Sequence, residues 1–304
     1  MENIKKKKKK LNRDITFYVI GMLWPIGQFL IFYIGVNLQS VLMAFQSYDV
    51  LTQSVDWTFG FMSDAVVTMF TSDYMLMLWG SSLKVYVLSL CIGTPLGLFF
   101  SFAIYKKVPF HSGFRVFLFL PAILSAIVMV TIYQFFVEQG IPELMRKLFN
   151  VDIKGLIENP NTSFAAIMTY TIFMSFGTSV LMYSNAMSGI SSEIVESAHL
   201  DGASGIREFW YITLPTIFPT ISTFLITGIV GIFSNQMNLY SFYGGSAPPE
   251  LQTYGYYFYM KTASATSRAE YSPLAAMGIV MSVIAIALTF TVRWAIEKFG
   301  PAED

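Results

Sequence analysis

The chain has 304 residues, of which 54% are apolar, 16% aromatic and 12% charged, with no net formal charge. A globular domain carries roughly 25% charged residues, so half that share cannot cover a soluble core with polar side chains. Composition therefore excludes a nucleic-acid binder, a disordered chain and an ordinary cytosolic enzyme; the single cysteine, Cys91, excludes a disulfide framework or a cysteine-rich metal site.

A helix needs about 20 mostly apolar residues to cross a bilayer. Such stretches fall at 16–45, 82–105, 115–137, 163–188, 216–240 and 273–295. They are continuous apolar runs rather than the alternation of a β-barrel. The expected fold class is all-α, a polytopic membrane protein with six transmembrane helices. Lys84, the one charge in the second stretch, is expected near an end, where its side chain snorkels to the interface. The expected organisation is a basic tail at 1–14, a first span with an outside loop at 15–80, a five-helix core at 81–295 containing a long loop at 189–215, and a short tail at 296–304.

Charge sets the orientation. Lys5–Lys10 and Arg13 precede the first span, and Lys106, Lys107, Arg115, Arg207, Arg293 and Lys298 fall on the same side. Only Arg146, Lys147, Lys154, Lys261 and Arg268 fall opposite. The positive-inside rule then places both termini in the cytoplasm. A cleaved signal peptide is the rival reading of the basic start. The apolar run after it is longer than the 7–15 residues of such a peptide, so a retained span is expected.

The outside loops carry weak signals. Asp49, Asp56, Asp64 and Asp73 match no compact calcium loop and read as a solvated face. Tyr254, Tyr256, Tyr257, Phe258 and Tyr259 read as an interfacial belt, with partner docking as the alternative. His111 and His199 read as surface histidines, since neither has ligand-spaced neighbours.

The loop at 189–215 is longer than a connection requires, and it is periodic. Ser191 or Ser192 can cap a helix, with Glu193 and Glu196 at its positive end. Ile190, Ile194 and Ala198 recur every fourth residue, giving one apolar face. Asp201-Gly202 ends that helix. A second helix is expected from Ala203 to Tyr211, and Pro215 opens the fifth span. Membrane-surface helices are rich in Lys and Arg, whereas this loop sets Glu193, Glu196, Asp201 and Glu208 against Arg207. A docked protein partner is therefore expected rather than lipid.

Glu196-Ser197-Ala198, Asp201-Gly202-Ala203, Ile212 and Leu214-Pro215 resemble the "EAA" signature of ABC-importer permease subunits, with Ser197 standing where the signature has its first Ala. The six spans and loop lengths are similar to the carbohydrate-uptake branch of maltose and multiple-sugar permeases. The resemblance implies a bacterial plasma-membrane protein that works with a second homologous permease chain, two ATPase subunits and an extracytoplasmic solute-binding protein. In this family the loop is a cytoplasmic coupling helix seated in the ATPase. The resemblance assigns Glu193, Glu196, Ser197, Ala198, Asp201, Gly202 and Ala203 to that contact, with Glu196 as anchor and Gly202 as the turn. The chain has no phosphate-binding loop of its own, so it is expected to be no enzyme and to hold no cofactor or metal, ATP being bound by the partner.

A sugar pathway needs hydroxyls, amides and aromatic faces. Polar candidates inside spans are Tyr133 and Gln134; Thr171, Ser175 and Thr178, which share one helix face; and Asn235, Gln236 and Asn238. The resemblance adds Phe173 and Met174. The same polar groups serve equally well to pack helices. The absence of charge on these faces suits a neutral solute. Two other readings stand beside the sugar importer: an ABC permease for a different solute, and an ion-coupled secondary transporter, which should show internal repeats or an intramembrane carboxylate.

Overall fold

The computed structural model describes residues 2–301. The side chains of the basic run 5–13 lie outside those described, as do Met1 and residues 302–304 of the two expected tails. The chain forms two units. One holds the chain up to Thr68 with Ala265–Val280; the other holds Met69–Ser264 and resumes at Met281.

In the first unit, helix α1 (Glu2–Gln28) runs through a wider turn at Phe29–Gly35 into α2 (Val36–Met43). The apolar stretch Ile15–Met43 is long enough to span a membrane, and none of its most apolar window is buried. A hairpin follows, β1 (Gln46–Tyr48) pairing antiparallel with β2 (Val55–Trp57). Asp49 shapes its turn by accepting from the Leu51 amide at 2.8 Å. That backbone hydrogen bond, helped by Thr52, holds the carboxyl below its ordinary value. Helix α3 (Gly60–Thr71) leads out of the hairpin.

The second unit begins with α4 (Asp73–Leu88), which continues through a wide turn into α5 (Thr94–Tyr105). Then come α6 (His111–Ile123), α7 (Ala126–Phe135), α8 (Ile141–Phe149) and α9 (Pro160–Ser188). The short α10 (Ser192–Leu200), α11 (Ile206–Glu208) and α12 (Leu214–Thr216) precede α13 (Phe218–Ser234). Helices α14 (Leu239–Tyr243), α15 (Tyr254–Ser264) and α16 (Arg268–Phe299) complete the chain, α16 entering this unit at Met281.

Among the described residues, five segments are long and apolar enough to cross a membrane: Ile15–Met43, Asp73–Tyr105, Pro160–Ser188, Phe218–Tyr243 and Arg268–Phe299. The expected third span, 115–137, is two helices. Leu124 is extended, and Ser125 caps the start of α7 by accepting from the Val128 amide. A serine that satisfies free helix-start amides makes a break affordable inside an apolar run. The second span starts nine residues earlier than its apolar run, so Lys84 lies three turns inside the helix rather than near its end. Its ammonium sits 4.0 Å over the Phe164 ring, a cation–π contact that partly replaces water.

Helices α5 and α6 pack on α9, while α13 and α15 pack on α4. One core cluster joins Val85, Val130, Ile167, Tyr170, Phe242 and Tyr256. A second joins Leu98, Tyr183, Met187, Ile217 and Ile221. Ser101 Oγ donates to the Gly97 and Val180 carbonyls, tying α5 to α9. Gly255 lets α15 meet the end of α13 at backbone distance: a Cβ there would lie 2.6 Å from the Ser234 carbonyl carbon. Tyr254 and Tyr256 are each 2% exposed, and the Tyr256 hydroxyl donates to the Gly244 carbonyl at 2.8 Å. These two tyrosines are core residues, not the interfacial belt expected from their clustering; one face of α15 packs inward and the local sequence does not say which.

Candidate functional site

The loop between α9 and α13 folds largely from local signals. Ser191 is the cap of α10, its Oγ accepting from the Glu193 amide at 3.2 Å. At the other end Gly202 takes φ +81°, the Gly202 amide donates to the His199 carbonyl, and the Ala203 amide to the Ala198 carbonyl. This paired closure is a common way to end a helix, and it favours glycine at the left-handed position. The second helix starts at Ile206, three residues later than expected, because Gly205 also has positive φ and keeps Ala203 and Ser204 in the turn. The fifth span likewise starts at Phe218 rather than Pro215, which belongs to α12.

Of the expected loop residues, Glu193, Glu196, Ser197, Asp201 and Gly202 are exposed, Ala203 is half-buried and Ala198 is buried. The loop also presents large apolar side chains: Leu200 is 90% exposed, Ile206 76% and Tyr211 76%, with Ile194 and Trp210 about half exposed. An exposed apolar patch held on a capped helix marks a contact surface.

One residue that sequence reasoning did not single out organises this loop. Glu208 is wholly buried. Its Oε2 lies 2.6 Å from Lys106 Nζ and 2.9 Å from His199 Nε2. Burial opposes its ionisation, but the hydrogen bonds and charges of Lys106 and His199 outweigh it, so the carboxyl is held below its ordinary value. His199 is a surface histidine, its side chain 45% exposed, and its Nε2 is also a partner of Glu208. The only hint in the sequence is a lone carboxylate amid Ile206, Phe209, Trp210 and Ile212.

The expected pathway residues divide. Tyr133 donates its hydroxyl to the Ala166 carbonyl at 2.7 Å, and Gln134 donates to the Phe242 carbonyl at 3.2 Å; both tie helices together. Thr171 and Ser175 donate to carbonyls of their own helix. Ser175, Thr178 and Phe173 are exposed, while Thr171 and Met174 are half-buried.

The polar segment Asn235–Asn238 breaks the apolar stretch Phe218–Tyr243. Asn235 ends α13 in an extended conformation, and Met237 and Asn238 both take positive φ. The freed backbone groups find partners. Thr253 Oγ1 donates to the Asn235 carbonyl at 2.7 Å, and Asn235 Oδ1 accepts from the Met237 amide at 2.8 Å. Irregular backbone at membrane depth persists only where protein or a cavity surrounds it. An open cavity of about 420 Å³ lies beside the break, lined by Phe233, Ser234, Gln236, Phe258, Tyr259 and Ser282 among others. Gln236 is the one expected pathway residue that reaches it. Among the described residues no group of His, Cys, Asp and Glu side chains could hold a metal ion.

Long apolar helices, a broken span beside a cavity and an apolar helical loop define a membrane transport component. The chain belongs to the family described as "Binding-protein-dependent transport system inner membrane component", which matches residues 93–301. It is similar to the probable ABC transporter permease protein YesP of Bacillus subtilis, 28% identical over 265 residues, covering 84% of this chain and 82% of that one. It is also similar to the multiple sugar-binding transport system permease protein MsmF of Streptococcus mutans, 25% identical over 163 residues, covering 53% of this chain and 56% of that one. A bacterial alginate ABC transporter, solved in complex with an alginate pentasaccharide-bound periplasmic protein, has the same fold: TM-score 0.75, 22% identity, 97% of this chain and 99% of that chain. The chain is a multi-pass membrane permease component of an ABC transport system and not an enzyme.

Proposed function

We propose that the chain is one of two homologous permeases in a bacterial ATP-driven importer for a sugar or oligosaccharide, working with two ATPase subunits and an extracytoplasmic solute-binding protein. The observation that carries this reading is the exposed apolar tip formed by Leu200 and Ile206 on the capped α10 turn. Exposed side chains of that size are costly in water and earn their place by insertion into a partner. In this reading both termini and the α10 loop are cytoplasmic, following the Lys and Arg bias. Glu193, Glu196, Ser197, Asp201 and Gly202 face the ATPase groove, Ala198 and Ala203 support that face from within, and ATP is bound by the ATPase alone. ATP-driven closure of the ATPase pair moves the docked helix and opens the pathway outward.

Sugar as the cargo is supported by the relatives named for sugar transport and by hydroxyl, amide and aromatic groups together at the broken span. The uncovered Ser175–Thr178 face of α9, with Thr171, Phe173 and Met174, and the Asn235–Asn238 segment with Gln236 at its cavity line the route. Tyr133 and Gln134 brace it from behind.

The test is uptake of labelled neutral and acidic oligosaccharides into vesicles carrying the assembled transporter. Uptake must stop with a hydrolysis-dead ATPase, and Ser204→Cys must crosslink to the ATPase. Uptake that survives the dead ATPase overturns the reading.

A further inference from the structure

Glu208, Lys106 and His199 come from three different segments. Lys106 caps the end of α5, His199 sits in the last turn of α10, and Glu208 ends α11. One carboxylate oxygen joins them, at 2.6 and 2.9 Å. The other, Oε1, is buried without a hydrogen-bond partner among the described residues. Aromatic packing encloses the pair: Phe102 and Phe209 lie 5.0 Å apart ring to ring, and Lys106 Nζ lies 5.5 Å from the Tyr105 ring.

Glu208 is buried but its partners are not, Lys106 being 30% and His199 45% exposed, and desolvation of the carboxylate offsets much of the attraction. The advantage of the arrangement is geometric. One carboxylate oxygen ties α5, α10 and α11, so separating any of them breaks a contact of a buried charge. The connection reaches the next helix: five residues before Lys106, Ser101 ties α5 to α9 by donating to the Val180 carbonyl at 3.0 Å. The loop is thus joined through α5 to the helix that bears the polar face, by one polar tie at each end of that stretch of α5.

We propose that Glu208 is a positioning residue of the transport cycle: it makes the docking helix and α5 a single rigid strut, so that displacement of α10 is delivered to the pathway helices. The inference rests on the proposed docking of α10 on an ATPase.

The test uses the full transporter assembled with its own ATPase and binding protein in proteoliposomes, all in a Ser204→Cys background. It reads three quantities: crosslinking to the ATPase, basal ATP hydrolysis, and the stimulation of hydrolysis by the binding protein. Glu208→Gln keeps the side-chain shape and removes the charge. It should leave the crosslink and basal hydrolysis in place and reduce the stimulation at least tenfold. A crosslink with undiminished stimulation in Glu208→Gln overturns the strut. No crosslink in the parent overturns docking itself, a separate failure. If Glu208→Gln does not assemble, Lys106→Arg and Lys106→Gln decide. The strut requires Arg to retain stimulation and Gln to lose it; equal stimulation in the two overturns it.

Discussion

In the loop between α9 and α13 one carboxylate carries the architecture, whereas on the polar face of α9 no single group does. Around Glu208 a fully buried carboxylate faces the Lys106 ammonium and the His199 ring. Along α9, Thr171 and Ser175 return their hydroxyl protons to their own helix, so each is locally satisfied and free to be lost. The difference teaches where rigidity and adaptability sit. The loop that must transmit motion is held by an interaction that is strong or absent. The face proposed to meet a solute is made of interchangeable weak groups.

The sharpest way to break this contrast is Lys106→Ala. It removes the ammonium partner of the buried carboxylate and leaves only the His199 contact at 2.9 Å, at a cost of about 1–3 kcal/mol. The unfolding temperature in detergent should fall by several degrees, and protease should cut at Gly202–Gly205 faster than in the parent. A pH titration makes the same point without mutation. Because the Glu208 carboxyl is held below its ordinary value, its stabilising contribution is present above the usual carboxylate range and is lost as pH falls through the lowered value. Hydrogen exchange in α10 should therefore rise at acid pH before exchange in α9 does. Simultaneous loosening of both would remove the contrast.

A smaller effect is expected at the turn. Gly202→Val forces a β-branched residue to φ +81°, costing about 1–2 kcal/mol. Proteolysis of the loop should increase while the melting of the α5–α9 pair stays in place. If Gly202→Val leaves the loop as resistant as before, the turn is held by something other than its backbone conformation.

How legible each region was follows from the same physics. The cap at Ser191 and the stop at Gly202 could be read from sequence because capping acts over three or four residues. Glu208 could not, since its decisive partner Lys106 lies 102 positions away and an isolated carboxylate in a loop reads as solvated. Five long spans were visible as apolar runs, but the break at Leu124–Ser125 was not, because nothing in the composition of 115–137 separates a serine that caps from a serine that packs. The carbonyl partners of Tyr133 and Gln134 were hidden for a related reason: a polar side chain in a span needs a partner, and the sequence does not say whether that partner is a solute or a neighbouring carbonyl.

That last ambiguity can be resolved with the mildest substitutions. Tyr133→Phe removes one hydroxyl bond to the Ala166 carbonyl, worth about 0.6–1 kcal/mol between helices in a membrane. It should lower the unfolding temperature slightly and leave uptake kinetics unchanged. Ser175→Ala deletes a hydroxyl bonded only within its own helix among the contacts described here, so stability should change by less than about 0.5 kcal/mol. If the exposed face of α9 meets the solute, Ser175→Ala should nevertheless shift the apparent KM for oligosaccharide uptake two- to fivefold. The two variants then move opposite observables, one stability and the other transport. A KM shift in Tyr133→Phe with none in Ser175→Ala would reverse the roles assigned to the two groups and put the route on the α7 side of α9.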